Sequence, residues 1–410
     1  MDRNEKKIVF AAGSVYPYAS PTGGICLDIA RAFSRSEKVK IISSLTEYPV
    51  TPGTEIEGME LAVFYNELYK MRFFFSQKET FWYQWGLTCV RAADRLNTLL
   101  FVPKNGWWYW KKVYTELKKD LNTGRVKAVI TFSEPFEAHW AAMKLKQEGY
   151  SFRWIAFFAD PLATPGNKRN LFVSLERMKE MEEEILKACD FFLVTPEMEE
   201  RFSAQHGAYA DKKKIFPYLI KNLVQPAVFG ASDPILVYAG RFYRDIRDPE
   251  EMLQTIVAAQ LPGLRFDLYT RGDCEAVVRR YQREYPAVIC LRDMVQRDQL
   301  EKIYADAAIL VNLENKAHGC KPSKQYEYIS TGKPILSFYY GQPDPVLEKY
   351  PLALQLRVGD RTERTLRALR QFIRFVSGKT LPFEQIAQLY PDNVFEKVAG
   401  DLERLVLSEQ

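Results

Sequence analysis

Short apolar runs alternate along the chain with stretches whose apolar positions recur every three or four residues. Lys7–Ala12 (KIVFAA) is a β-branched run that ends at Gly13, and Ile25–Phe33 follows with Ile25, Ile29 and Phe33 on one helical face. Val39–Ser43, Ala128–Phe132 (AVITF), Trp154–Phe158 (WIAFF) and Phe191–Thr195 read as further strands, the last preceded by a charged helix at Leu175–Ala188. Apolar strands separated by helices predict a parallel sheet covered on both faces. A second alternation begins at Ile235–Ala239 (ILVYA). It continues through a helix near Pro249–Ala259, a strand Arg265–Tyr269, a helix Glu275–Glu284 and a strand near Val288–Leu291. A helix Asp298–Ala307, a strand Ala308–Leu313, a helix from Pro322 and a strand Pro334–Phe338 complete it. Between the two sets, Pro217–Pro234 holds three prolines and Gly230 with little periodicity, the composition of a linker. The pattern predicts an α/β protein of two doubly wound Rossmann-like domains facing each other across a cleft. The expected boundaries are 1–220, a linker 221–234, and 235–390, with ligands at the carboxyl ends of the strands.

Composition changes this picture little, and charge changes it by its placement. The 410 residues are 47% hydrophobic and 27% charged, which excludes disordered and fibrous classes. The net charge of +5 is too small for a dedicated nucleic-acid binder. Residues 1–225 carry 32 Lys/Arg against 27 Asp/Glu, whereas residues 226–410 carry 25 of each, and all seven tryptophans lie in the first half. No apolar run reaches the roughly 18–20 residues that span a bilayer. The opening MDRNEKKIVFAAGS lacks the apolar core and cleavage site of a signal peptide. Six scattered cysteines without a CxxC fit a reduced, cytoplasmic protein. Three histidines, no HExxH and no aspartates at i, i+2 leave no expected metal site, and no cofactor is expected.

The densest chemistry is Gly319–Pro334, GCKPSKQYEYISTGKP. Pro322 suits a first helical position, which would leave the amides of Ser323 and Lys324 as helix-start donors for an anion. Lys324 adds a point charge, and Glu327, one turn on from Ser323, can accept both hydroxyls of a ribose. An ordinary capped helix with an exposed Lys and Glu would read the same way. A second cluster, YAGRFYRDIRDP at Tyr238–Pro249, follows the first strand of the second domain. Gly240 permits the tight exit, Arg241, Arg244 and Arg247 project from the loop, and Asp248 with Pro249 reads as a helix start. Both basic clusters fall on the same edge of one sheet.

YAGRFYRDIRDP followed by KPSKQYEYISTGKPI resembles the donor-binding domain of GT-B glycosyltransferases. The closest resemblance is to the retaining, family-four-like enzymes of bacterial surface polysaccharide synthesis. Thr22, Gly23, Gly24 and Ile25 look like that family's glycine pair before helix one. TFSEPFEAHWAAMKLKQEG and WIAFFADPLA look like its acceptor-facing segments, and KACDFFLVTPEM like the segment before the linker. The resemblance implies a GT-B fold and transfer of a sugar, with retention, from a nucleotide diphosphate sugar to an acceptor hydroxyl. It implies that Ser323 and Lys324 hold the donor diphosphate with Arg241 and Arg247 beside them. Glu327 would hold the ribose, and Gly23 and Gly24 would let backbone approach the donor phosphate. It also implies that a C-terminal helix in 391–410 crosses back to the first domain. Two departures stand out. The family's first glutamate would fall at Gly319, so contacts to the sugar would come from elsewhere, such as Glu314 or His318. The second cation, usually five residues after the first, would fall at Ile246 and is displaced to Arg247.

For an acceptor-side base the candidates are His139, Asp160 and Glu134. His139 follows SEPF in what reads as a loop at a strand end, and Asp160 precedes Pro161 after WIAFFA, where it could equally cap a turn. Residues 64–85 contain ten aromatics in 22 with Lys70, Arg72 and Lys78, and 107–112 reads WWYWKK. Aromatics beside cations suit an anionic membrane surface and a glycan or lipid-linked acceptor at the inner face of the cytoplasmic membrane. An aromatic core or a self-association surface is the other reading. Two further functions stay open: a non-catalytic GT-B scaffold in a polysaccharide assembly complex, and a sugar-nucleotide epimerase on the same fold.

Overall fold

The computed structural model describes residues 6–15, 20–45, 53–65, 67–78, 80–100, 107–133, 135–159, 161–162, 174–224, 234–295, 297–316, 324–376 and 378–408. The chain divides into two compact units, Met1–Phe216 with Ala399–Gln410, and Pro217–Val398.

In the first unit, β1 (Lys7–Ala12) is a run of apolar residues buried from Ile8 onward. It feeds α1 (Pro21–Phe33), which starts behind Ser20. The Ser20 hydroxyl accepts the Gly23 N–H at 3.0 Å, and Pro21 occupies the first turn. The helix expected from Ile25 is therefore one turn longer. Gly23 and Gly24 lie inside its first turn and not before it, because cap and proline together move the start back. β2 (Lys38–Leu45), the short β3 (Glu55–Ile56) and β4 (Met59–Tyr65) follow, then α2 (Glu67–Ser76), α3 (Phe81–Leu100) and α4 (Trp107–Leu121). The alternation resumes with β5 (Val126–Phe132), α5 (Glu137–Gln147), β6 (Arg153–Phe158), α6 (Leu175–Ala188), β7 (Phe191–Val194), α7 (Pro196–His206) and β8 (Lys213–Ile215). The sheet runs β3-β4-β2-β1-β5-β6-β7-β8, and only the β3–β4 pair is antiparallel. Strand order reverses between β1 and β5, which makes their carboxyl ends the switch point of a doubly wound sheet.

The second unit holds β9 (Ile235–Ala239), α8 (Glu250–Ala258), β10 (Arg265–Tyr269), α9 (Glu275–Glu284), β11 (Ile289–Arg292) and α10 (Arg297–Asp306). It continues through β12 (Ile309–Leu313), α11 (Lys324–Ser330), β13 (Ile335–Tyr339), α12 (Pro345–Glu348), β14 (Ala353–Arg357), α13 (Glu363–Val376) and α14 (Phe383–Leu389). Its six strands run β11-β10-β9-β12-β13-β14, every pair parallel, with the switch point between β9 and β12. β9, β12 and β13 are almost wholly buried, as strands covered on both faces must be.

Residues read as the start of a linker pack into this second unit. The Lys221 N–H donates to the Ser330 hydroxyl at 3.0 Å, the Leu223 N–H to the Ser330 carbonyl at 3.1 Å, and Ile220 pairs with Val394. The last helix, α15 (Phe395–Leu407), begins where the Phe395 N–H bonds the Ile220 carbonyl at 2.9 Å. Its later residues belong to the first unit, where Arg153 donates to the Leu405 carbonyl at 2.8 Å and the Ser408 hydroxyl at 2.7 Å.

Candidate functional site

The carboxyl edge of the six-stranded sheet gathers the second unit's chemistry at its switch point. Lys324 and Glu327 sit on α11, which is held from several sides. Gln325 donates to Asp344 at 3.1 Å inside the core, Tyr326 stacks on Tyr218 with ring centroids 4.7 Å apart, and Ser330 anchors Lys221. Lys324 Nζ lies 3.4 Å from Glu327 Oε2, an (i, i+3) pair that leaves both side chains part-exposed. The Lys324 stem crosses the exit of β9. A methyl group on Gly240 would lie 3.2 Å from Lys324 Cε and 3.1 Å from the Tyr238 hydroxyl, so the close approach depends on Gly240 having no side chain.

The loop after β9 closes on itself through Arg247 N–H to Tyr243 carbonyl (2.7 Å) and Tyr243 N–H to Arg247 carbonyl (3.2 Å). It is tied to the loop after β12 by the Lys316 N–H, which donates to the Ile246 carbonyl at 2.7 Å. Arg247 points back into the edge. Its Nε and Nη2 donate to Asn315 Oδ1 at 3.0 and 2.7 Å, and its Nη1 lies 3.5 Å from the Tyr238 hydroxyl. Burial raises the Tyr238 phenol above its ordinary value, so it stays protonated and neutral beside the guanidinium. The Tyr238 ring stacks on Phe242 at 4.3 Å, and its hydroxyl donates to the Arg241 carbonyl at 3.3 Å. Arg241 and Arg244 are exposed. Lys324, Glu327, Arg247 and Gly240 are thus brought to one place, with Arg241 beside them. Ser323, His318 and Gly319 lie outside the described residues, and Glu314 leaves β12 with its N–H on the Phe338 carbonyl at 2.9 Å.

Two residues of this edge went unread in the sequence: Asn315 and Lys316. Asn315 and Lys316 follow β12 by two and three residues. Distance from a strand's carboxyl end, not residue motif, was the signal that could have found them.

At the switch point of the first unit, hydroxyls lace the strand ends together. Ser43 donates to the Gly13 carbonyl at 2.7 Å and accepts the Val15 N–H, and Ser133 accepts the Ala159 N–H at 3.0 Å. The Gly23 and Gly24 amides are engaged within α1 by Ser20, and a methyl group at Gly23 would run into the Ser14 carbonyl oxygen. Gly23 thereby lets helix and loop pack closely. His139 is not on a loop. It lies in the first turn of α5, fully buried against Phe136 and Phe158. Its Nδ1 is 2.6 Å from the Thr131 hydroxyl, which also accepts the Trp154 indole N–H at 2.8 Å. Burial pulls the imidazole pKa from 6.5 to about 3. A ring walled off in this way is a neutral core residue, and the expectation of a solvent-facing base is corrected. Asp160 and Glu134 lie outside the described residues.

The aromatic stretches separate on inspection. α2 and α3 pack as a hairpin in which a methyl group on Gly86 would strike the Phe75 ring, and Phe74 stacks on Tyr83 at 5.5 Å. The hairpin leaves Phe74, Phe81, Trp82 and Trp85 exposed by 56, 72, 73 and 59%. In 107–112, by contrast, Tyr109 is a core residue whose hydroxyl donates to the Ala12 carbonyl at 2.5 Å. Among the described residues no helix is long and apolar enough to cross a membrane.

No protein-family model and no curated protein matches the chain by sequence. Solved structures do match by shape. A sucrose-phosphate synthase from Thermosynechococcus elongatus superposes with a TM-score of 0.62 at 15% identity, over 97% of this chain and 98% of that one. An alpha,alpha-trehalose-phosphate synthase (UDP-forming) from Burkholderia vietnamiensis gives 0.62 at 11% identity, over 99% and 100%. The lipopolysaccharide outer core galactosyltransferase WaaB gives 0.57 at 12% identity, over 98% and 100%. At such identities the likeness is one of fold, and the fold of this chain is that of the GT-B glycosyltransferases.

Proposed function

We propose that this protein is a glycosyltransferase that moves a sugar from a nucleotide diphosphate sugar to an acceptor hydroxyl, with retention and without a metal. The observation that carries the reading is the convergence of Arg247 and Lys324 on the switch point of the second sheet, in a GT-B fold. The diphosphate leaves with growing negative charge, so cations already in place favour the transition state over the bound donor. Arg247 and Lys324 would take the diphosphate, with Arg241 and Ser323 beside them, and Glu327 would accept the ribose hydroxyls. Asp160 is the residue we propose for the acceptor hydroxyl, in preference to the buried His139. The likeness to a UDP-forming synthase makes UDP the first nucleotide to try.

The acceptor we propose is lipid-linked or part of a growing polysaccharide, met at the inner face of the cytoplasmic membrane. Its support is the α2–α3 hairpin, which exposes four aromatic rings and carries exposed Arg72 and Lys78 in its first helix and the turn after it. Incubation with a panel of UDP-, ADP- and GDP-sugars and lipid-linked glycan acceptors tests the whole reading. Release of the nucleoside diphosphate with elongation of an acceptor is the expected result. Binding without turnover on any acceptor would move the protein to the scaffold class.

A further inference from the structure

Arg247 is held by a neutral acceptor. The Asn315 amide oxygen takes two of its N–H groups, at 3.0 and 2.7 Å. Other guanidinium groups of the same unit rest on acids. Asp267 holds both Arg265 (3.2 Å) and Arg292 (3.1 Å), and Glu250 holds Arg280. A carboxylate fixes an arginine and cancels its charge, whereas an amide oxygen fixes it and leaves the charge available. Among the described residues Arg247 has no carboxylate within ion-pair reach, and Nη1 touches only the Tyr238 hydroxyl, at 3.5 Å, too long for a working hydrogen bond. That hydroxyl borders the Gly240 exit crossed by the Lys324 stem.

We infer that Asn315 is a positioning residue that aims Arg247 at the donor diphosphate and keeps it fully charged. This rests on the donor-site reading above. The side chain at 315 thereby sets the electrostatic strength of the site without touching the ligand.

The test separates positioning from packing by comparing Asn315→Asp with Asn315→Ala. Aspartate preserves or strengthens the grip on Arg247 and neutralises it, and alanine releases it still charged. Titration calorimetry uses whichever of UDP, ADP and GDP binds the wild type, with the matching monophosphate as control and melting temperature as the structural readout. The expected result for Asn315→Asp is a melting temperature at or above wild type. Its diphosphate affinity should fall about 10-fold or more with a flatter salt dependence, and its monophosphate affinity should change less. Asn315→Ala should lose less affinity than Asn315→Asp. Asn315→Asp binding the diphosphate like wild type, while Lys324→Ala does not, would overturn this inference and leave the donor site standing. Wild type binding none of the three diphosphates would overturn the donor-site reading and this inference with it.

Discussion

Lys324 and Glu327 show how a few side chains become a site. They lie on one short helix, 3.4 Å apart, so their pairing is written into an (i, i+3) spacing that can be read without a structure. Asn315 is different, because it comes from a second segment that meets Tyr238 and Arg247 only when β9 and β12 lie side by side. Their spacing along the chain carries no trace of that meeting. Lys324→Ala is expected to weaken nucleoside diphosphate binding by about 10- to 100-fold, the worth of one charge-assisted hydrogen bond. Its melting temperature should hardly move, since the side chain is part-exposed, and calorimetry with thermal melting reads both. His139 makes the opposite case. Its residue type and its place after a strand resembled a base, but the ring is sealed in the core. The unfolded chain takes up a proton below pH 6.5 that the folded ring refuses until about pH 3. Folding stability should therefore fall as pH drops through that window, by up to about 1.4 kcal/mol per pH unit from this group. Chemical denaturation of His139→Gln between about pH 6 and pH 4 should show a shallower slope than wild type. Equal slopes would mean that the ring titrates normally.

At the scale of elements, strands were the most legible parts, because buried parallel strands are continuous apolar runs with few alternatives. Helix starts were less so. α1 begins at Pro21 because Ser20 caps it, a signal that sits outside the apolar pattern. Gly23→Ala should cost about 1–3 kcal/mol, since the added methyl meets the Ser14 carbonyl, and should appear as a lowered melting temperature. The aromatic stretches were legible only as composition. Ten rings among the 22 residues of 64–85 blur any period, so the α2–α3 hairpin and its exposed rings came from the structure alone. In α4 the period was available: Tyr109, Val113 and Leu117, each four residues apart, are all buried. Trp82→Ala with Trp85→Ala should reduce co-sedimentation with anionic vesicles several-fold and leave the melting temperature unchanged. Undiminished co-sedimentation would place the lipid contact elsewhere or remove it.

The whole molecule is two doubly wound units, and the modest +5 of the chain is shared between them, +2 in the first and +3 in the second. Each sheet reverses its strand order once, and in the second unit that reversal is where the cations collect. The alternation of strands and helices made this architecture legible. The boundary was blurred because Lys221 and Leu223, which look like linker, bond to Ser330. Residues after Val398 complete the first unit, where Arg153 holds Leu405 and Ser408. Removing residues 399–410 should lower the melting transition of the first unit and spare nucleotide binding by the second, as calorimetric scanning with a diphosphate titration would show. The central claim is that the switch point between β9 and β12 binds the diphosphate of a sugar nucleotide. Its most direct test is titration of UDP, ADP and GDP into the wild type, Lys324→Ala and Arg247→Met. Saturable binding of one diphosphate by the wild type, lost or strongly weakened in both folded variants, is the predicted result. Binding left intact in both variants would contradict it.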